Sequence, residues 1–347
     1  MKNKKKYFFF LILFLLIVFL TFYSIFSETS LNSIFNDIKK VNIIYIFICI
    51  LFIILYFVLQ GIFIKIVLKS LNKKITLKKG IFYSLVEFYF SGITPSSTGG
   101  QPVQMYFMTK DKIPVRKSFI TLILNTIYFK LIILVLGILV LIFNNDYLFN
   151  NSSIYFIVFL IGFLVDSLIV IFGLLSIFKQ KFIKKIAKTL FNICSKIKFL
   201  KKYFSDEDKL KEFLSRYRSE ALYIRKNKKT VFLGFIITFF QRMLLFSIPY
   251  IIYISLGFSK YNYFDLFSIQ IIIQIAIDIL PLPGGSGFSE KMMNDMYYLI
   301  YGVALAPTSM LLTRTFTFYI PLIISGIFIA GNSIKNKINK KRLNSFS

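Results

Sequence analysis

Six ionisable side chains stand inside apolar stretches of the chain: Glu87, Lys130, Asp166, Arg242, Glu290 and Arg314. A charge in hydrocarbon is costly and usually faces a partner or a polar cavity. Arg314 and Lys130 could hold a phosphate, the arginine through a two-pronged fork and the lysine as a point charge. Glu87 and Glu290 could balance those cations or meet an amino group. Thr94, Ser96, Ser97, Thr98, Gln101, Gln104 and Ser286 supply neutral hydrogen bonds nearby. These residue types bind and position; they do not spell a bond-making centre. The sequence contains no histidine, which removes Ser-His-Asp and Cys-His catalysis and any His-ligated metal. Its two cysteines, Cys49 and Cys194, form no framework or metal set. No catalytic residue, metal or cofactor is expected.

The elements that must carry these residues are membrane spans. Of 347 residues, 56% are hydrophobic, more than a soluble domain of this length could hide. Apolar runs near 7–26, 41–64, 118–143, 154–178, 230–256 and 308–332 each approach the ~20 residues needed to cross a bilayer. The first follows a lysine-rich start but is too long for a signal core, so it is read as an anchor span. With the N-terminus in the cytoplasm, segments 1–6, 69–79, 110–117, 179–229 and 335–347 are cytoplasmic and hold 35 of the 43 basic residues. That asymmetry accounts for most of the net charge of +28 and puts both termini on the cytoplasmic side of the membrane, which is expected to be a bacterial cell membrane. The basic face then meets anionic inner-leaflet lipid, and no nucleic-acid partner is implied.

Two segments do not fit as simple crossings. Residues 80–108 begin and end beside lysine-rich loops, and 264–306 must begin and end on the other side. Each has a helix-breaking centre, Ile93-Thr-Pro-Ser-Ser-Thr-Gly-Gly-Gln-Pro102 and Leu280-Pro-Leu-Pro-Gly-Gly-Ser-Gly287. Both read as re-entrant helical hairpins hinged at Pro95, Gly99 and Gly100, and at Pro283, Gly284, Gly285 and Gly287. Gly99 precedes Lys130 by 31 residues and Gly284 precedes Arg314 by 30. The order span, span, hairpin, span thus occurs twice with opposite starting sides, which points to a transporter's midplane site. The expected fold is an all-α polytopic membrane protein: one domain over 1–347, with inverted halves near 1–150 and 151–335. The helix starts after Gly100 and Gly285 would add free N–H donors for a phosphate. The glycines would equally well serve close helix packing.

The stretches Thr94-Pro-Ser-Ser-Thr-Gly-Gly-Gln-Pro-Val-Gln104 and Leu282-Pro-Gly-Gly-Ser-Gly-Phe-Ser-Glu290, with Arg314 downstream, resemble the lysylphosphatidylglycerol synthase transmembrane family. This is the flippase-like membrane region of the multiple peptide resistance factor, and the resemblance covers nearly the whole chain. It implies translocation of a phospholipid, typically aminoacylated, between leaflets. The family's larger members carry a soluble lysyltransferase domain after this region, and the sequence to Ser347 has no counterpart to it. Intrinsic phosphatidylglycerol lysyltransferase activity is therefore not expected. A separate lipid aminoacyltransferase partner, a role in lipid aminoacylation and cationic peptide resistance, and a non-transporting scaffold stay open as alternatives.

Bland roles stay open for the site residues too. Lys130 and Asp166 fall at matching depth on adjacent spans and could simply pair. Glu290 with Arg314 could be a structural lock, and Arg242 could pair with Asp278. In the basic linker 179–229, Ile186, Leu190, Ile193 and Ile197 form an apolar stripe among lysines. Ser205-Asp-Glu-Asp208 then reads as the cap of a second helix running to about Arg225.

Overall fold

The computed structural model describes residues 31–143, 153–179, Thr189 and 207–344. The expected first span at 7–26 and the stripe of Ile186, Leu190, Ile193 and Ile197 lie outside the described residues.

Every regular element described is helical. In chain order these are α1 (Leu31–Lys40), α2 (Ile43–Ser70), α3 (Leu77–Gly92), α4 (Gly100–Lys110), α5 (Val115–Phe143) and α6 (Ser153–Phe178). Then follow α7 (Glu207–Lys226), α8 (Lys228–Ser255), α9 (Tyr263–Ile277), α10 (Phe288–Arg314), a π turn at Thr315–Tyr319 and α11 (Ile320–Asn344). Five stretches are long and apolar enough to cross a membrane: Ile43–Ser70, Val115–Phe143, Ile154–Phe178, Lys228–Ser255 and Phe288–Asn332. Large apolar side chains such as Phe47, Ile142, Leu164, Phe232 and Ile327 stay exposed on them, as a lipid-facing surface requires. The chain is a polytopic all-α membrane protein.

The last stretch is two elements. Gly302 (φ 71°, ψ 172°) interrupts α10 in a conformation that suits glycine. Phe288–Tyr301 returns a hairpin that α9 began, and a span runs on from Val303. Tyr261 before α9 donates to the Leu299 carbonyl at 2.8 Å, so this hairpin starts and ends on one face. The other hairpin, α3–α4, is closed at the opposite, lysine-rich face. There Tyr83 donates to Asp111 at 2.5 Å and Lys79 pairs with the same carboxylate at 3.0 Å.

Local chemistry sets these boundaries. The Thr76 side chain caps α3, Asn227 caps α8, and Asn262 with Asp265 forms a reciprocal capping box on α9. Helices α2 and α8 pack antiparallel, tied near one end where the Asn42 N–H donates to Ser255 O at 3.4 Å. Helices α2 and α3 touch at Gly61 and Gly80, where a Cβ on Gly61 would stand 2.7 Å from the Ile81 nitrogen. Helix α7 lies at the lysine-rich face, held by Arg116 to Glu220 at 2.7 Å. Helix α1, beside the opposite face, has no counterpart among the expected elements, because ten residues are too few for a span signal.

Candidate functional site

The two broken segments meet tip to tip. Pro95 and Pro283 form an isolated antiparallel bridge, and Ser96 Oγ donates to the Leu280 carbonyl at 3.1 Å. The breaks reach this contact by different means. In the second, Gly284, Gly285 and Gly287 take positive φ (59°, 67°, 92°), as expected of hinge glycines. In the first, the left-handed positions are Ser96 and Ser97 (φ 49° and 54°), while Gly99 has φ −84°. Gly99 and Gly100 serve close approach instead: a Cβ would stand 2.6 Å from Thr94 Cγ2 and 2.6 Å from Glu87 O respectively. Thr94 knots this break, donating to Phe90 O at 2.5 Å and accepting from Gly99 N at 2.9 Å.

Beside the tips lies a cavity of about 510 Å³, walled by both hairpins with α2, α5, α8 and the π turn. Its charged lining is Glu87, Lys130, Arg242, Asp278 and Arg314. Ser97, Gln101, Asn125, Gln270 and Gln274 add polar groups, and Phe88, Phe129 and Phe318 add aromatic faces. Two more carboxylates, Asp166 and Glu290, back the wall with 0% exposure.

Arg314 and Glu290 form a saturated lock. Glu290 accepts from Arg314 Nε (2.8 Å), Gly287 N (2.7 Å), Ser289 Oγ (2.9 Å) and Tyr319 Oη (3.0 Å). Glu290 is not among the cavity-lining residues, and it holds Arg314 in the arrangement expected of a lock. The α10 N-terminus begins at Phe288, after Gly287 and not after Gly285, and spends the Gly287 N–H on Glu290. Arg314 donates a second bond to Gly284 O at 3.2 Å, and its guanidinium lies 4.4 Å from the centre of the Phe318 ring. A π turn follows Arg314, a distortion the sequence did not announce, and the Tyr319 ring centre also lies 5.8 Å from the guanidinium.

Lys130 is the repeat mate of Arg314 by spacing, but its surroundings differ. Its Nζ lies 2.6 Å from Asp166 Oδ1 and also pairs with Asp278. Asp278 in turn accepts from Gln274 Nε2 at 2.8 Å. Lys130 is thus clamped by two carboxylates, one of them the Asp166 partner expected from matching depth, while it still lines the cavity. Arg242 does not meet Asp278. It donates to Tyr56 Oη at 3.3 Å and lies 3.7 Å from the centre of the Phe129 ring, so it is the lining cation with no carboxylate in salt-bridge range among the described residues.

Of the remaining residues singled out by sequence, Glu87, Ser97 and Gln101 line the cavity. Gln101 also donates to Thr126 Oγ1 at 2.5 Å. Thr94 is spent inside its turn, and Gln104 and Ser286 are buried away from the lining. Gln270 and Gln274 were missed as site residues, and Asp278 was read only as a partner for Arg242. The signal was available: all three stand in the apolar run leading into the second break.

Comparison with known proteins agrees with a membrane protein. The model of the family described as the lysylphosphatidylglycerol synthase TM region matches residues 9–325. A UPF0104 membrane protein of Archaeoglobus fulgidus is 26% identical over 328 residues, covering 92% of this chain and 96% of the relative. A UPF0104 membrane protein of Pyrococcus horikoshii is 24% identical over 274 residues, covering 76% and 80%.

Proposed function

The chain belongs to the lysylphosphatidylglycerol synthase TM region family, and on that premise we propose that it carries a phospholipid headgroup across the bilayer through the cavity between its two hairpins. The observation that carries this reading is a cavity at the meeting of two opposed hairpins, lined by charges of both signs where apolar helices surround it. A headgroup with a phosphate and an amine needs both signs. Arg242 and the outer face of Arg314 meet the phosphate; Glu87 and Asp278 meet the amine. The amine requirement fits an aminoacylated lipid. The acyl chains stay in the bilayer while the headgroup passes the tips. The lysine-rich face is the cytoplasmic one, where the basic residues of α7 and the loops lie against anionic lipid.

The experiment is transfer of a fluorescent aminoacylated phospholipid between leaflets of liposomes holding the purified chain. Transfer that falls at least about tenfold with Arg242→Ala, a loss of about 1.4 kcal/mol in transition-state stabilisation, supports the reading. No transfer above empty liposomes sinks it. Lysine transfer from charged tRNA to phosphatidylglycerol by this chain alone would favour a synthase instead.

A further inference from the structure

At the edges of the charged cavity and beyond it, the interior keeps a set of polar side chains with atoms that meet no protein partner. Seven of them fall into two belts. On the side of the lysine-rich face are Gln60, Ser84, Gln104 and Asn125, carried by α2, α3, α4 and α5. On the opposite side are Gln270, Asn294 and Thr308, carried by α9 and α10. At ~1.5 Å rise per residue, the first belt lies roughly 9–15 Å from its helix ends and the second roughly 9–12 Å from its own. The cavity lies between them, and Asn125 and Gln270 belong to its lining.

The belts match under the internal repeat. The shift that carries Lys130 onto Arg314 carries Asn125 onto Ser309, which is buried and polar and stands beside Thr308. The shift that overlays α3 on α9 carries Ser84 onto Gln270. An unpaired amide or hydroxyl in an apolar interior is costly, because its desolvation is not offset. Native interiors keep such groups where water or a ligand reaches them. A merely structural polar belt would be expected to satisfy itself, as Glu290 does.

We propose that these belts are the closed linings of two gates, one per hairpin, through which water and a polar headgroup pass between the cavity and the two faces. Gln104 and Asn125 line the gate toward the lysine-rich face, and Gln270 and Thr308 line the other. The proposal extends the transport reading above, but its test uses no lipid transfer. In each gate these side chains are shut away from bulk water while the hairpin is packed, and they take up hydrogen bonds with water when it parts.

The test is side-specific thiol labelling in a Cys49→Ala, Cys194→Ser background, in membrane vesicles of known orientation. Lys74→Cys and Ser259→Cys mark the two faces, and Ile272→Cys is the buried apolar reference. Ser84→Cys and Ser309→Cys change one atom, so folding is preserved; Asn125→Cys and Gln270→Cys repeat the measurement. A membrane-impermeant methanethiosulfonate should modify Ser84→Cys and Asn125→Cys from the Lys74 face, and Ser309→Cys and Gln270→Cys from the Ser259 face. Each should react at least about tenfold faster than Ile272→Cys. Reaction no faster than that reference, or both belts reacting from one face, overturns the gates. Labelling as expected in a protein that moves no lipid would leave the gates standing and remove the transport reading.

Discussion

Pro95 and Pro283 stand opposite each other in an antiparallel bridge, each at the turn of a hairpin that enters from a different face. Ser96 reinforces the contact through the Leu280 carbonyl, and the hypothetical Cβ of Gly284 would stand 3.3 Å from Gly92 O. The tips are therefore packed backbone to backbone. Any passage from one face to the other must part them or pass beside them.

A disulfide across the bridge decides whether the tips move. Directly opposed residues in an antiparallel pair have Cα atoms about 4.5–5.5 Å apart, inside the span a disulfide accepts. Pro95→Cys with Pro283→Cys should cross-link on mild oxidation in a background lacking Cys49 and Cys194. The oxidised protein should lose lipid transfer, and reductant should restore it. Unchanged transfer in protein shown by mass spectrometry to be cross-linked would mean that the tips stay together during transport.

Glu290, and the side of Arg314 that it holds, should matter to stability. Removing one partner of a buried pair leaves an uncompensated charge and costs about 3–5 kcal/mol. Glu290→Gln should therefore lower the melting point of the detergent-solubilised protein by several degrees, and Arg314→Lys should lower it too by losing the fork to Glu290 and Gly284. Glu87→Gln should leave the melting point nearly unchanged while altering the choice between aminoacylated and plain phospholipid. Equal melting points for Glu290→Gln and Glu87→Gln would refute this division.

Much of this architecture was legible before any coordinates. Helix breakers at Pro95 and Pro283, set between segments that begin and end beside similar loops, announced the hairpins, because proline and glycine remove donors that a continuous span needs. The pairings were less legible. Lys130 and Arg314 occupy equivalent places by spacing, yet one faces two carboxylates and the other a single saturated one. That difference depends on Asp278 at the end of α9, which the sequence offered only as a partner for Arg242. The left-handed turn at Ser96 and Ser97 was hidden by the adjacent glycines, which draw attention to flexibility when their role is to admit backbone. The π turn is set by how Arg314, Phe318 and Tyr319 pack together, and no local composition marks it.

The Lys130 cluster yields to a double-mutant cycle. Lys130→Met strands Asp166 and Asp278, both mostly buried, and should destabilise the protein by about 3–5 kcal/mol. Adding Asp166→Asn and Asp278→Asn should recover most of that loss, because three neutral groups of similar shape no longer need one another. The coupling, read from melting points of the single, double and triple variants, should be at least about 1 kcal/mol. Additive effects would show that the three side chains do not act as a unit.

The glycines separate packing from flexibility. At Gly61 a Cβ would stand 2.7 Å from the Ile81 nitrogen and 3.0 Å from the Gly80 carbon, both backbone atoms that cannot move aside alone. Gly61→Ala must therefore push α2 away from α3 and shift the first hairpin, at a cost of about 1–3 kcal/mol. At Gly331 a Cβ would meet nothing within 4 Å, and the residue sits within α11. Gly331→Ala should be neutral or stabilising by up to about 1 kcal/mol through helix propensity. Because the hairpin is built on the α2–α3 contact, Gly61→Ala should also slow lipid transfer while Gly331→Ala does not. Melting points and transfer rates measured on the same preparations check both halves, and a Gly61→Ala protein as stable and as active as the parent would show that this crossing does not position the hairpin.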